Sequence, residues 1–305
     1  MPKVIVGLLN EAQEFQQLQA RDARESAARL GLEIEVLFSE GHAVVQIQQL
    51  FEHIHASAEK RPAAIVVEPA ITEGLERVAR NAVKAGIGWI LVNMRSSYLE
   101  SLRAAHPDVP IGMVGTDQRE VGRIQGRQCR SLLGAKGHVL CIQGPTQSTV
   151  SSERLEGLQQ SLGPGFELRS VSGDWTDASG ERAVASWLRL KSTEAFQPDV
   201  VVSQNDSMAA GARRAIGSLR NEWAGVPFLG CDGLPDGGQM LVAQGRLVAT
   251  VTTPSNTGKA LALVERWLNA RQMPPAEVLL APVSFPAEEQ IRRPGGTQAR
   301  AQKNG

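Results

Sequence analysis

The residues best equipped for chemistry stand just after short apolar runs. Asn10 follows VIVGLL, Glu68 follows AAIVV, Asn93 and Arg95 follow GWILV, and Gln143 follows HVLCI. Further on, Trp175 stands in GDWTD, Gln204, Asn205 and Asp206 follow DVVVS, Asp232 follows VPFLGC, and Thr252 and Thr253 end VATVTT. Nearly all of these side chains are amides, carboxylates, hydroxyls or a guanidinium, so their shared chemistry is hydrogen bonding. In open α/β sheets, ligands bind outside the carboxyl ends of the strands, which is where such residues would gather.

The usual enzyme signatures do not accompany them. There is no GxGxxG, no GxxxxGK[ST] and no GxSxG, so no standard dinucleotide cradle, triphosphate loop or nucleophile elbow exists, and no cofactor is expected. His53 and His55 lie two apart on an expected helix, point to different faces and cannot share a metal. The chain holds 32 Lys plus Arg against 32 Asp plus Glu, a balance that disfavours nucleic acid as a partner. Its 3 cysteines cannot make a closed disulfide set, and Cys141, inside HVLCIQ, reads as a small buried thiol.

The elements that must position these residues follow a repeating rhythm of a short apolar run, then polar or Gly/Pro residues, then an amphipathic stretch. That rhythm is the βα alternation of a parallel sheet. VIVGLL, EIEVLF, AAIVV, GWILV, IGMVG, HVLCI, DVVVS, VPFLG and VATVT read as buried strands, mostly central ones, because they are continuously apolar. Val44, Ile47, Leu50, Phe51 and Ile54 keep helical spacing, as do Met208, Ala212 and Ile216. Gly31, Gly86 and Gly217 stand where helices are expected to stop in a left-handed residue. At 305 residues with 42% hydrophobic content, the chain is long enough for two domains, and its pattern restarts near Gly115 with TDQREVGRIQGRQ.

Three segments carry a resemblance to a known family: SSERLEGLQQSL (151–162), SQNDSMAAGARRA (203–215) and GCDGLPDGGQMLVAQGRLVATV (230–251). In order and spacing they resemble the sugar-binding branch of the type I periplasmic binding proteins, which includes ribose-binding protein and the effector domains of lactose-repressor-type regulators. The likeness runs from Val4 to about Pro286. It implies two similar doubly wound parallel-sheet lobes joined by a three-strand hinge, with a sugar held in the cleft by hinge closure. The lobes are expected at 1–115 plus 254–282 and 116–253 plus 283–291, followed by a disordered tail over 292–305.

The resemblance also assigns residues. Arg154 matches the arginine that meets sugar hydroxyls, a task suited to five donors in a rigid fork; the alternative is an exposed helix arginine. Asp232 matches an acceptor of vicinal hydroxyls, or else caps a helix starting near Pro235. Trp175 falls where the family sets an aromatic ring against a sugar face, with plain core as the competing role. With only 5 Trp, 7 Phe and 1 Tyr in the chain, a Trp between Asp174 and Thr176 in a loop leans toward ligand. Asn205 matches an amide that both donates to and accepts from hydroxyls, which leaves Asp206 as a helix cap or first-turn acid. Asn10 completes the strand-end set, and Phe15 lies near a first-lobe stacking position but could equally be core.

Two departures stand out. Where the family commonly shows Asp-Arg, this chain has Met94-Arg95, so Glu68 is expected to replace the missing acceptor and to pair with Arg95. A family glutamine in the last hinge segment appears here as Thr253.

The function implied is capture of a monosaccharide or polyol by a monomeric, non-enzymatic protein, for transport through a membrane permease or for sensing through a signalling protein. A cytoplasmic sugar-responsive regulator and a sugar-modifying α/β enzyme are the alternatives. The chain opens MPKVIVGLL, without a signal segment, and no run approaches the roughly 20 apolar residues of a membrane span, so the expectation is cytoplasmic, with periplasmic as the family's alternative.

Overall fold

The computed structural model describes residues 1–190 and 196–292. The tail expected over 292–305 lies, from residue 293 onward, outside the described residues. The chain divides into two compact units. The first comprises Met1–Gln118, Thr146–Glu153 and Thr253–Pro282, and the second Arg119–Pro145, Arg154–Thr252 and Val283–Gly305.

The first unit alternates β1 (Lys3–Leu8), α1 (Glu14–Leu30), β2 (Glu33–Phe38), α2 (Ala43–Ile54), β3 (Ala64–Val67), α3 (Glu76–Lys84), β4 (Gly88–Val92), α4 (Tyr98–Ala105) and β5 (Ile111–Thr116). The returning chain adds α10 (Thr257–Ala270) and β11 (Glu277–Leu280). The strands form one parallel sheet in the order β11-β5-β4-β3-β1-β2. Its two faces explain the continuous apolar runs. Ile5, Ile65, Val67, Trp89 and Leu91 pack with Leu50, Val78 and Leu102 on one side, while Val4, Val6, Val66, Ile90 and Val92 pack with Ala20, Ala23, Leu261 and Val264 on the other. Alternate residues of each strand are thus buried on opposite faces.

The start of α10 is held from a distance. Its own N-cap residue, Asn256, makes no side-chain cap. Instead Gln19 of α1 accepts from the Asn256 and Thr257 amides through Oε1 at 2.8 and 3.2 Å, and Asp22 accepts from the Gly258 amide at 2.8 Å. Two α1 side chains therefore satisfy the orphan donors that a local cap would normally take.

The second unit contains α5 (Gln118–Leu133, from Arg119), β6 (Gly137–Gln143), α6 (Thr149–Leu162, from Arg154), β7 (Phe166–Ser172), α7 (Asp177–Leu188), β8 (Val200–Ser203), α8 (Asp206–Leu219) and β9 (Phe228–Leu229). It also holds α9 (Met240–Ala243), β10 (Thr250–Thr252) and β12 (Val283–Phe285). Strands β7-β6-β8-β9 form a parallel sheet, and β10 pairs antiparallel with β12. Leu140, Ile142 and Val201 pack with Val184, Met208 and Ala212 on one face. Val139, Cys141 and Val202 pack with Cys129, Leu158 and Leu162 on the other.

The mixed architecture with parallel sheets agrees with the fold class read from the sequence. Three differences have physical causes. β7 reads FELRSVS and alternates because it is an edge strand with one wet face. β11 and β12 are short return segments that gain their partners only from distant parts of the chain. Gly217 lies inside α8, which runs on to Leu219, whereas Gly31 and Gly86 do adopt positive φ, 66° and 76°.

Candidate functional site

In the first unit, the strand ends converge on a buried carboxylate. Glu68, 2% exposed, follows β3 and accepts from Gln16 Nε2 at 2.9 Å and from Asn93 Nδ2 at 2.8 Å. The Gln16 oxygen in turn accepts from the Leu9 amide at 3.0 Å, and the Asn93 oxygen accepts from Gln118 Nε2 at 2.9 Å. This network has a direction: both amides have their oxygens occupied, so their NH2 groups must donate to Glu68. Gln46 Nε2 also donates to the Glu68 carbonyl at 2.8 Å. Asn93 itself sits at φ 66° just past β4, a left-handed position that Asn tolerates better than most residues.

The expected pair of Glu68 with Arg95 is not formed. Arg95, beyond the strand end, hydrogen-bonds Glu277 and pairs with Glu153 of the same unit at 2.7 Å. The reason is the return strand: β11 lies beside β5 and brings Glu277 to Arg95, which sequence distance hides. Asn10, half-buried, folds back so that its Oδ1 accepts from the Ala12 amide at 2.9 Å, an Asx turn leading into α1. Phe15 is half-buried and is in neither apolar cluster of this unit. Thr253, 2% exposed, also belongs to this unit, and its hydroxyl has no hydrogen-bond partner among the described residues.

In the second unit, Arg154, Trp175, Asn205 and Asp232 come together. Arg154 is not an exposed helix arginine: it is 5% exposed, donates to the Gln204 carbonyl, and stands 3.9 Å from an Asp232 oxygen. Its guanidinium carbon lies 5.8 Å from the centroid of the Trp175 ring, within cation–π range. Trp175 is half-buried with φ 73°, a strained value for an aromatic residue. Two neighbours set the ring in place. Asn205 Nδ2 donates to the Trp175 carbonyl at 2.7 Å, and Gly144 leaves the room the indole needs, since a Cβ there would lie 2.1 Å from the ring.

Asp232 is not the N-cap residue: the kinked helical stretch over Pro235–Gln239 starts at Leu234. Burial pushes the adjacent Cys231 thiol well above its ordinary range, with Arg154 pulling the other way, so Cys231 stays neutral beside the pair. At Asp174, burial raises the carboxyl pKa, but hydrogen bonds from Thr176 and Ser179 outweigh it and hold the pKa below its ordinary value.

Of the two roles left open for Asp206, the structure gives it that of first-turn acid of α8 and gives the cap to Asn205. Asn205 is the N-cap of α8, accepting from the Met208 amide at 2.9 Å while also holding Trp175. The Asp206 oxygens accept from the Gly233 amide at 2.8 Å and the Thr250 hydroxyl at 2.7 Å. A cap must have extended backbone, and Asn205, at φ −150°, has it.

Residue-type reasoning passed over Gln16, Gln118 and Gly144. A signal for the glutamines existed: they are polar residues on helix faces otherwise turned to the core, and both are 3% exposed. Among the described residues no group of His, Cys, Asp and Glu could hold a metal, and no helix is long and apolar enough to cross a membrane.

The chain is 30% identical over 174 residues to the xylitol-binding protein of Mycolicibacterium smegmatis, covering 57% of this chain and 47% of that one. It is 23% identical over 231 residues to the ribose import binding protein of Haemophilus influenzae, covering 75% and 72%. It spans about half the length of most of the curated relatives it matches. Among solved structures, an ABC transporter periplasmic solute binding protein from Actinobacillus succinogenes with bound D-allose superposes with a TM-score of 0.81 at 21% identity, over 95% of this chain and 99% of that one. Residues 5–264 match the periplasmic binding protein domain, and since that is most of the chain, the protein belongs to the periplasmic binding protein family.

Proposed function

We propose that the protein binds a monosaccharide or related polyol, without turning it over, as the solute-binding component of an ABC-type sugar transporter. The observation that carries this reading is the cluster of the second unit: a buried guanidinium within 3.9 Å of a carboxylate and 5.8 Å of a half-buried indole. Such a trio offers donors, an acceptor and an apolar ring face, the complement of a sugar with hydroxyls at its edge and C–H bonds on its face. The xylitol-, ribose- and D-allose-binding relatives support the same ligand class.

Arg154, Trp175, Asn205 and Asp232 are proposed as ligand contacts of the second unit, and Asn10, Phe15, Glu68, Asn93, Arg95 and Thr253 as those of the first. Capture by hinge closure belongs to the same proposal, and shifting such an equilibrium from mostly open to mostly closed takes about 5.5 kcal/mol of differential binding. The family match supports the periplasm as the location, and a membrane permease as partner and a monomer as the working form belong to the same proposal.

A thermal-shift screen over xylitol, D-ribose, D-allose, other hexoses and inositols tests the reading, because a ligand of the folded state raises its melting temperature. At least one polyol should shift it and be recovered chemically unchanged. A flat screen would remove the support for a carbohydrate ligand, and a converted sugar would revive the enzyme reading.

A further inference from the structure

Asp206 is 2% exposed, and its environment is built around its two oxygens. Oδ2 accepts from the Gly233 amide at 2.8 Å, and Oδ1 accepts from the Thr250 hydroxyl at 2.7 Å. The glycines at 230 and 238 are required by the same carboxylate, because a Cβ at either would lie 1.9 or 2.0 Å from one of its oxygens. The Asp206 amide donates to the Cys231 carbonyl at 2.7 Å. Asp206 therefore grips the chain on both sides of Asp232.

Asp232 needs that grip. Its φ is 100°, a region that a residue with a Cβ avoids. Its own amide donates to the Val251 carbonyl at 2.9 Å, and the Gly233 carbonyl accepts from Gln239 Nε2 at 2.9 Å. Such a conformation persists only where the surroundings over-determine it. A neutral helix-opening residue at 206 would offer the Gly233 amide a weaker acceptor than a carboxylate does.

We propose that Asp206 is a positioning residue for ligand binding: by clamping Gly233 and Thr250 it fixes the strained backbone of Asp232 and so aims the Asp232 carboxylate beside Arg154. This rests on the polyol-binding reading above. It assigns Asp206 an effect on affinity, not on folding stability alone.

The test is a double-mutant cycle on the full chain, with Kd for xylitol, D-ribose and D-allose measured by calorimetry on the folded fraction. Asp206→Asn should weaken binding about tenfold or more, the scale of one lost charge-assisted hydrogen bond. Thr250→Val, which removes one donor and keeps the charge, should weaken it by a smaller factor. In an Asp232→Asn background, neither change should cost further affinity, a result that a merely structural role would not give. Unchanged Kd in the variants, or the same fold-loss in both backgrounds, would overturn the inference while leaving the binding reading intact. If Asp206→Asn does not fold, Thr250→Val decides alone by the same criteria. Wild-type protein that binds none of these three ligands nor any other polyol of the thermal-shift screen sinks both the reading and the inference.

Discussion

Replacing Glu68 by Gln tests the directed network of the first unit with a change of almost no volume. In the wild type, Gln16 and Asn93 both donate to the carboxylate, at 2.9 and 2.8 Å. Neither amide is free to flip, because Gln16 Oε1 accepts from the Leu9 amide and Asn93 Oδ1 accepts from Gln118. A carboxylate is acceptor-only and suits two donors; a Gln amide has one oxygen and one NH2 group, so one donor must face another donor. At 2% exposure no bulk water relieves that clash. Losing one hydrogen bond to a charged acceptor costs about 1.5–3 kcal/mol. For a unit of this size that corresponds to a fall of about 3–12 °C in melting temperature. Circular dichroism melts at pH 7 of the wild type and Glu68→Gln measure it directly, and xylitol titration of both proteins reads the accompanying loss of affinity. An unchanged melting temperature would refute the directed network, and unchanged affinity would remove Glu68 from the ligand contacts.

Other positions yield equally specific expectations. Asn205→Ala should lower stability by about 1–2 kcal/mol through the lost cap and also weaken polyol binding, whereas Asn205→Asp, which keeps a capping oxygen but loses the donor to Trp175, should weaken binding with stability nearly preserved. Gly144→Ala places a methyl 2.1 Å from the Trp175 ring and should displace the indole, seen as a shifted tryptophan emission together with lost affinity. The buried Cys141 thiol is pushed from an ordinary 9.0 up to about 12, so it stays neutral in the folded chain while its unfolded counterpart ionises. The stabilisation is complete below the unfolded pKa and is lost as pH rises toward 12, so the melting temperature of Cys141→Ala should fall less steeply than the wild type's between pH 9 and 11.

Much of the frame was legible because it is locally encoded. A strand buried on both faces must be continuously apolar, so β1, β3, β4, β6 and β8 announced themselves, and the polar residues just beyond them marked the carboxyl ends of both sheets. Strands β7, β11 and β12 were hidden by their partly exposed faces. The residue types of the second cluster were readable from the three family-like segments, which hold Arg154, Asn205 and Asp232, and from the GDWTD loop, which holds Trp175, since each carries chemistry suited to a hydroxylated ligand.

Partner choice was not readable, and for one physical reason. A hydrogen bond or ion pair goes to whichever group the packed sheet brings within reach, and that is set by contacts far apart in sequence. Arg95 took Glu277, 182 residues away, because β11 returns beside β5. Asp206 stands in the first turn of α8 while its oxygens accept from Gly233 and Thr250, and the cap goes to Asn205, because the loop after β9 folds over the carboxylate. The sequence by itself determined which side chains stand at the strand ends and what chemistry they carry; only the tertiary structure decided which of them meet ligand-ready partners and which are held in place by others.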